Sequence, residues 1–137
     1  MASALSFLGE KWSFLVVREL ALGVHRFDGI ARNTGAPRDI LTNRLRRLEA
    51  AGVLEKRLYQ ERPPRYEYRL TEAGDEIRPI LLSLAEWGAR WASPERVTVW
   101  EHDCGAELEL QHTCAACGGE VTGRDVRVKT YATAAAR

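Results

Sequence analysis

The chain has 137 residues, which is enough for one domain with a hydrophobic core and a short extension but excludes two large domains. Hydrophobic residues make up 45% and charged residues 28%, as is typical of a globular protein that folds alone or as an oligomer. No apolar run approaches the roughly 20 residues needed to cross a bilayer, and the first residues lack the pattern of a secretory signal. We therefore expect a cytoplasmic protein.

The net charge of +1 conceals an uneven distribution along the chain. Residues 26–69 contain 11 Lys and Arg against 6 Asp and Glu, whereas residues 93–137 contain 5 against 7. A basic excess of this kind is either an ordinary solvated surface or a surface that binds a polyanion. The positions of the basic residues within the predicted elements favour the second interpretation, as follows.

The first predicted element is one long helix over Ser3–Leu22, in which apolar residues recur every three or four positions. Ser3 is suited to cap its start and Gly23 to end it. Its apolar surface covers most of the circumference because aromatic residues add to the aliphatic stripe. Such a helix is either the centre of the core or shared between two subunits.

Two shorter helices follow, separated by a tight turn at residues 33–36. The first covers Phe27–Thr34, and the second covers Pro37–Ala51, with Pro37 at its first position and Gly52 after its end. The buried stripe predicted for the second helix is Ile40, Leu41, Leu45 and Leu48. Two helices joined by such a turn, the second polar and basic on its outer face, indicate a helix-turn-helix.

Two strands, Val53–Gln60 and Arg65–Leu70, are predicted next from β-favouring residues and from the alternation in RYEYRL. The intervening tip contains Pro63 and Pro64, which cannot donate ladder hydrogen bonds. The tip is therefore expected to leave the sheet as an exposed wing flanked by Arg62 and Arg65.

The last predicted helix runs from Glu72 to about Trp91, with Thr71 as its cap. Pro79 lies inside this span, which predicts either a kink or a helix whose regular part begins at that residue. The apolar face of this helix is broad. The pair Ser93-Pro94 marks the expected boundary with a C-terminal extension.

Residues 5–74 closely resemble HxlR-type regulators, a branch of the MarR-like winged-helix proteins. The resemblance rests on GEKW with the following LVVREL, on HRFDGI, on ILTNRLRRLEAAGVLEKR, on YQERPPRYEYRLTEAG and on the later LAEWG. It implies a dimeric repressor or activator whose first and last winged-helix helices form the dimer contact. Many members carry a cysteine just before the first helix, which in some senses electrophiles or oxidants. The opening MASALSF has none, so either sensing by that route is absent or the start has been trimmed, and no redox switch is carried over to that position.

The pattern and the resemblance together predict which side chains contact DNA. The candidates for reading bases share the outer face of the second helix of the pair, and are Arg38, Thr42, Asn43 and Arg46. The candidates for phosphate or minor-groove contacts lie on the flanks of that helix and at the wing, and are Arg44, Arg47, Arg62 and Arg65. Asp39 either orients an arginine or caps the helix. A homodimer would place two such helices roughly 34 Å apart, which predicts an inverted-repeat operator.

All three cysteines, Cys104, Cys114 and Cys117, lie in the acidic extension. CAACGG has the form of a zinc knuckle and HDCG that of a degenerate one, which predicts one structural zinc ion. The fourth ligand is His102, His112 or Glu101, of which we favour His102. Reduced thiols without metal and a disulfide are the alternatives, and the reducing cytosol disfavours the disulfide.

The expected architecture is mainly α-helical with a small β wing. It comprises a winged helix-turn-helix domain for DNA binding and dimerisation at residues 1–92, a small β zinc-ribbon-like extension at residues 93–129 and a disordered tail at residues 130–137. The strands expected in the extension are Val97–Trp100, Leu108–Leu110 and Val126–Val128.

The expected function is that of a sequence-specific DNA-binding transcriptional regulator acting as a homodimer. The alternative is a winged-helix module that binds protein, with the metal ribbon as a scaffold, although this leaves the arginines unexplained. An enzyme is disfavoured, because no nucleophile, acid and base share a motif and no glycine loop suits a phosphate. A cavity near Trp12, Trp87 and Trp91 is a candidate site for an apolar effector, but a filled aromatic core is favoured there.

Overall fold

The computed structural model describes residues 1–92 and 100–127, and the chain forms two compact units, residues 1–95 and 96–137. In the first unit the helices are α1 (Ala2–Leu8), α2 (Lys11–Ala21), α3 (Phe27–Thr34), α4 (Arg38–Ala50), α5 (Glu72–Asp75) and α6 (Arg78–Trp91), and the strands are β1 (Leu54–Gln60) and β2 (Arg65–Leu70). The predicted architecture, mainly helical with a small antiparallel sheet, is confirmed. Within the described ranges no helix is long and apolar enough to span a membrane.

The single long helix predicted at the start of the chain is wrong, because α1 and α2 are separate. The N–H of Gly9 closes α1 by donating to the carbonyl of Leu5 at 2.8 Å, and Glu10 then adopts an extended conformation. A side chain at position 9 would collide with the Leu5 carbonyl oxygen, so glycine is required at this turn. Ser3 lies inside α1 rather than at its cap. Apolar periodicity continues across the turn and therefore conceals it.

The helix-turn-helix pair forms as predicted, with small shifts at its ends. The bounds of α3 match the prediction, and Gly35 ends it in the left-handed conformation at φ 69°. Pro37 is the N-cap of α4 rather than its first residue. Its carbonyl accepts a hydrogen bond from the Leu41 N–H at 2.8 Å.

The core joins α2 to this pair and to the start of the wing. Its most deeply buried apolar side chains are Val16, Val17, Leu20, Ile30, Leu41, Leu45, Leu48, Val53 and Leu54. Three of the four residues of the predicted α4 stripe are among them, and Ile40 is half-buried. Burial of this stripe fixes the rotation of α4, so its polar side faces away from the core.

The wing is an antiparallel hairpin in which Leu54 lies opposite Leu70 and Leu58 opposite Tyr66. Backbone hydrogen bonds attach it to the loop between α2 and α3. The N–H of Tyr68 donates to the carbonyl of His25 at 2.8 Å, and the His25 ring nitrogen Nδ1 contacts the Tyr68 carbonyl oxygen at 3.1 Å. Because this loop leads into α3, the wing and the helix-turn-helix share one rigid connection.

The last predicted helix divides into α5 and α6. The Thr71 hydroxyl caps α5 by accepting a hydrogen bond from the Gly74 N–H at 3.2 Å, as predicted. A new helix begins at Arg78 and places Pro79 in its first turn, where the missing N–H of proline removes no helical hydrogen bond. Of the two outcomes predicted from this proline, the helix that begins there is confirmed.

The C-terminal unit has two short turns in place of the expected strands. Isolated bridges pair Glu101 with Glu107 and Thr113 with Glu120, and the described residues contain no longer strand here. The strand predicted at residues 108–110 is therefore wrong. Trp100, Leu108, Leu110 and Val121 are half-buried and no residue of the described part of this unit is fully buried, so little packing is available to hold an extended sheet. Residues 97–99, 128 and the tail at 130–137 lie outside the described residues.

Candidate nucleic-acid interface

The outer face of α4 carries the side chains expected to read bases. Asn43 and Arg46 are exposed and form no side-chain hydrogen bond or ion pair with any described residue. Thr42 is half-buried, and its hydroxyl donates to the Arg38 carbonyl at 2.8 Å, which leaves the hydroxyl oxygen free to accept. Asp39 is also exposed on the first turn of α4. The arrangement leaves a polar surface with donors and acceptors directed away from the protein.

Arg38 lies where the two helices of the pair meet. Its Nη1 donates to the Asp28 carboxylate at 2.9 Å, and its guanidinium lies 4.8 Å from the centre of the Phe27 ring. The ion pair is highly exposed, with side-chain exposures of 71% and 82%, so it contributes little stability. Arg38 can therefore exchange this carboxylate for an external partner.

Two of the predicted phosphate contacts have partners inside the protein instead. Arg44 pairs with Glu10, and only 12% of its side chain is exposed. Arg47 pairs with the same carboxylate at 3.1 Å and donates to the Ser6 carbonyl at 2.8 Å. The structure thus places Arg44 in a bond between α4 and the turn before α2, away from the role expected for it, while Arg47 stays half-exposed. Glu10 lies far from both arginines in sequence, and no local pattern indicates this contact.

The wing presents the other two predicted phosphate contacts at its tip. Arg62 and Arg65 are exposed, and neither forms an ion pair within the part of the chain that the structure describes. The Gln60 side chain braces the tip, since its amide donates to the carbonyls of Arg62 and Pro63 at 3.1 and 3.2 Å. The two guanidinium groups are therefore held beside the helix-turn-helix without a competing carboxylate.

Sequence reasoning missed a cleft of about 800 Å³ between the start of α3 and the wing, here called the wing cleft. Its lining includes three arginines and two tyrosines, which are Arg26, Arg32, Arg65, Tyr59 and Tyr66. Arg26 and Arg32 are outside α4 and the wing tip, so neither was a candidate. The excess of basic residues over 26–69 was the only signal of them.

In the C-terminal unit Cys114 and Cys117 share one turn, whereas Cys104 lies in the other. The Cys117 and Gly118 amides donate to the Cys114 carbonyl at 3.3 and 2.7 Å. Hydrogen bonds from the Ala116 and Cys117 amides, and from the Cys117 thiol, lower the pKa of Cys114 below its ordinary value. Among the described residues no group of three or more His, Cys, Asp or Glu lies close enough to hold a metal ion. The ligand set with Cys104 and His102 is thus not assembled, and zinc stays a prediction.

A family model described as HxlR-like helix-turn-helix matches residues 7–96. The chain belongs to this family. A relative from Mycobacterium tuberculosis, the uncharacterized HTH-type transcriptional regulator Rv3095, is 40% identical over 126 residues, which cover 90% of this chain and 80% of the relative. The resemblance to HxlR-type regulators drawn from residues 5–74 is thereby confirmed.

Two solved structures extend the comparison beyond the HxlR-like region. PA1607, described as a proposed transcription factor, is 32% identical with a TM-score of 0.80. The match covers 91% of this chain and 89% of PA1607. PA1374 from Pseudomonas aeruginosa, also described as a proposed transcription factor, is 31% identical with a TM-score of 0.70. The match covers 98% of this chain and 93% of PA1374. Because the HxlR-like model ends at residue 96, matches of this length include part of the C-terminal unit.

Proposed function

We propose that the chain is a transcriptional regulator that binds duplex DNA in a sequence-specific manner, as a homodimer on an inverted-repeat operator. The single observation that carries the proposal is the outer face of α4, where Asn43 and Arg46 are exposed, together with a wing whose Arg62 and Arg65 form no ion pair with a described residue. Family membership and relatives described as transcriptional regulators support it. None of the relatives named above is described as an enzyme.

The chemistry of α4 suits the major groove. An arginine can donate two hydrogen bonds to guanine, and an asparagine can both donate to and accept from adenine. Thr42 and Arg46 follow Arg38 by one and two turns of the helix, and Asn43 lies about one turn before Arg46. The unpaired arginines at the wing tip supply charge to phosphates or to the minor groove, which adds affinity without reading sequence directly.

The homodimer is supported by an apolar stripe on α6. Ile80, Leu84, Trp87 and Trp91 follow one another at three- and four-residue spacing and are exposed, the two tryptophans by 58% and 72%. The filled aromatic core expected near these tryptophans concerns the space between dimer helices, so it stays a prediction for the dimer. Covering the stripe with a second α6 would remove large apolar surfaces from water at about 25 cal/mol per Å². This agrees with the dimer contact implied by the resemblance.

Arg46→Ala tests the assignment of α4. We expect a loss of about 1–3 kcal/mol in binding to duplex from upstream of the chain's own coding sequence, with a smaller loss on unrelated duplex. Fluorescence anisotropy over a salt series measures both. Arg124→Ala is the charge-matched control, since Arg124 is an exposed residue of the C-terminal unit, outside α4, the wing and α6.

Two results would count against the proposal. Unchanged binding by Arg46→Ala would remove α4 as the reading helix. A parent protein that ignores both duplexes at low salt would favour the alternative of a winged-helix module that binds protein.

A further inference from the structure

The wing cleft contains three arginines without a carboxylate partner. Arg26, Arg32 and Arg65 line it, and none forms an ion pair with a described residue. Most arginines elsewhere in the first unit, such as Arg57 and Arg78, do have such a partner. Unpaired guanidinium groups gathered in one concave site create a positive potential that attracts anions.

The two carboxylates at the cleft do not cancel this charge, because each is already paired. Asp28 accepts from Arg38 at 2.9 Å, and Glu67 accepts from Arg69 at 2.7 Å. The hydrogen bond from Arg69, together with the charges of Arg69, His25 and Arg26, lowers the pKa of Glu67 below its ordinary value. Both acids are thus paired with arginines outside the cleft lining, and the three arginines of the lining outnumber its two carboxylates.

Aromatic rings position cations along the cleft. The guanidinium of Arg26 lies 4.8 Å from the centre of the Tyr59 ring, and the ammonium of Lys56 lies 3.9 Å from that of Tyr66. Stacking of this kind restricts a long side chain before a ligand arrives. Less rotamer freedom is then lost on binding, which favours recognition of an anion.

The walls of the cleft are also joined to each other. Backbone hydrogen bonds link the loop before α3 to β2, where Arg26 and Glu67 form a bridge. The same loop leads into α3, whose Phe27 and Asp28 contact Arg38 at the start of α4. The cleft is therefore a preformed site next to the proposed reading helix.

We propose that the wing cleft binds phosphates of the duplex backbone beside the groove read by α4, with Arg26 and Arg32 as phosphate contacts together with Arg65. This inference rests on the proposed function, because it takes α4 as the reading helix. The DNA-binding surface of the protein would then include the wing cleft as well as α4 and the wing tip. Phosphate is recognised by the bidentate donors of arginine, and a free nucleotide could supply the same chemistry.

The double variant Arg26→Ala/Arg32→Ala tests the site. Each phosphate contact contributes about 0.9 to the slope of log affinity against log salt, so the double variant should lose about 1.8 per protomer. Affinity at low salt should fall at least about tenfold, and equally for upstream and unrelated duplex, because phosphates carry no sequence information. Anisotropy titrations of both duplexes over a salt series give the slope of log affinity against log salt and the ratio of the affinities for the two duplexes.

Two further variants control for charge and for folding. Arg26→Lys/Arg32→Lys should keep most of the slope, because lysine also neutralises phosphate. Arg124→Ala removes a charge on the C-terminal unit and should leave the slope unchanged. If the alanine variant is unfolded by circular dichroism, Arg26→Gln/Arg32→Gln decides, since it removes both charges but keeps polar side chains. A folded glutamine variant with a slope lower by about 1.8 supports the contacts, and one with an unchanged slope overturns them.

The outcomes separate the cleft from the wider function. A parent that binds duplex and a double variant with an unchanged slope would overturn the cleft alone. A parent that binds neither duplex would overturn the proposed function and with it the duplex assignment. Calorimetry with ATP and inorganic pyrophosphate distinguishes the phosphate source. Binding of either that the double variant loses, with duplex binding intact, would make the cleft a nucleotide site and overturn the proposal.

Discussion

The arginines of α4 show how surroundings assign different roles to one residue type. Arg46 is exposed and unpaired within the described chain, Arg38 holds an exposed pair with Asp28, and Arg47 shares Glu10 with Arg44. Arg44 alone is nearly enclosed. Helix position predicts which face each arginine occupies, but only the tertiary structure identifies its partner. Four arginines that look equivalent in sequence therefore differ in the structure: one is exposed and proposed to read bases, one holds an exposed ion pair, and two pair with Glu10.

The backbone conformation at Gly9 leaves no room for a side chain. Gly9→Ala would place a methyl group against the Leu5 carbonyl oxygen, so we expect a loss of about 1–3 kcal/mol in the free energy of unfolding. Urea denaturation followed by circular dichroism measures it. Gly88→Ala is the matched control, because its Cβ would meet open space in the middle of α6 and alanine favours a helix by about 1 kcal/mol. Equal stability of the parent and Gly9→Ala would contradict the steric argument.

The cysteines allow a direct test of the predicted zinc ion. Cys114 and Cys117 already share a turn, and thiolates are the preferred ligands of zinc. We expect about one zinc per chain in purified protein by elemental analysis, and its loss in Cys114→Ser/Cys117→Ser. A Ser6→Ala variant, which retains the three cysteines, serves as control. A metal content near zero with three titratable thiols would remove the zinc proposal.

Among the elements, the turn between α1 and α2 is linked to α4 through Glu10. Glu10→Gln removes the charge that pairs with Arg44, and a largely enclosed guanidinium would then lack its counterion. Glu10 itself is half-exposed, so water can partly compensate, and we expect a loss of about 1–3 kcal/mol in the free energy of unfolding. Urea denaturation provides the value.

Glu55→Gln is the control for this link. It removes an equivalent charge from a pair with Arg57 in which both side chains are about half-exposed, so its effect should stay within roughly 1 kcal/mol. A similar loss of unfolding free energy in both variants would mean that the enclosure of Arg44 adds nothing to the stability contributed by its ion pair.

Elements with local signals were predictable, and contacts between distant elements were not. The bounds of α3 and β2 follow from a tight turn and from alternation, and both match the structure. The break at Gly9 is invisible to apolar spacing, since the spacing continues on both sides. The exposed candidates on α4 were likewise predictable from its stripe, whereas Glu10 and Arg26 approach their partners only through the fold.

For the whole molecule, the exposed stripe on α6 predicts that dimerisation and operator binding fail together. Trp87→Lys/Trp91→Lys places two charges in the proposed subunit contact, where burying an unpaired charge costs several kcal/mol. We expect a monomer in sedimentation experiments and a loss of at least about tenfold in affinity for an inverted-repeat duplex, because each protomer then binds one half-site alone.

Val126→Lys is the matched control for this variant. Val126 is an exposed apolar residue of the C-terminal unit, outside α6. The Val126→Lys variant should leave both the oligomeric state and the affinity for the inverted-repeat duplex unchanged. A tryptophan variant that stays dimeric would show that α6 is not the subunit contact.

The backbone bonds between the wing and the loop before α3 limit how the protein can adapt to DNA. The N–H of Tyr68 and the carbonyl of His25 join the hairpin to the polypeptide that leads into α3. These bonds restrain the wing relative to the helix-turn-helix, so we expect the two to move together. In the proposed homodimer, a signal that changes the distance between the two half-site readers must act by tilting one subunit against the other, so the tryptophan-bearing seam would govern release from the operator.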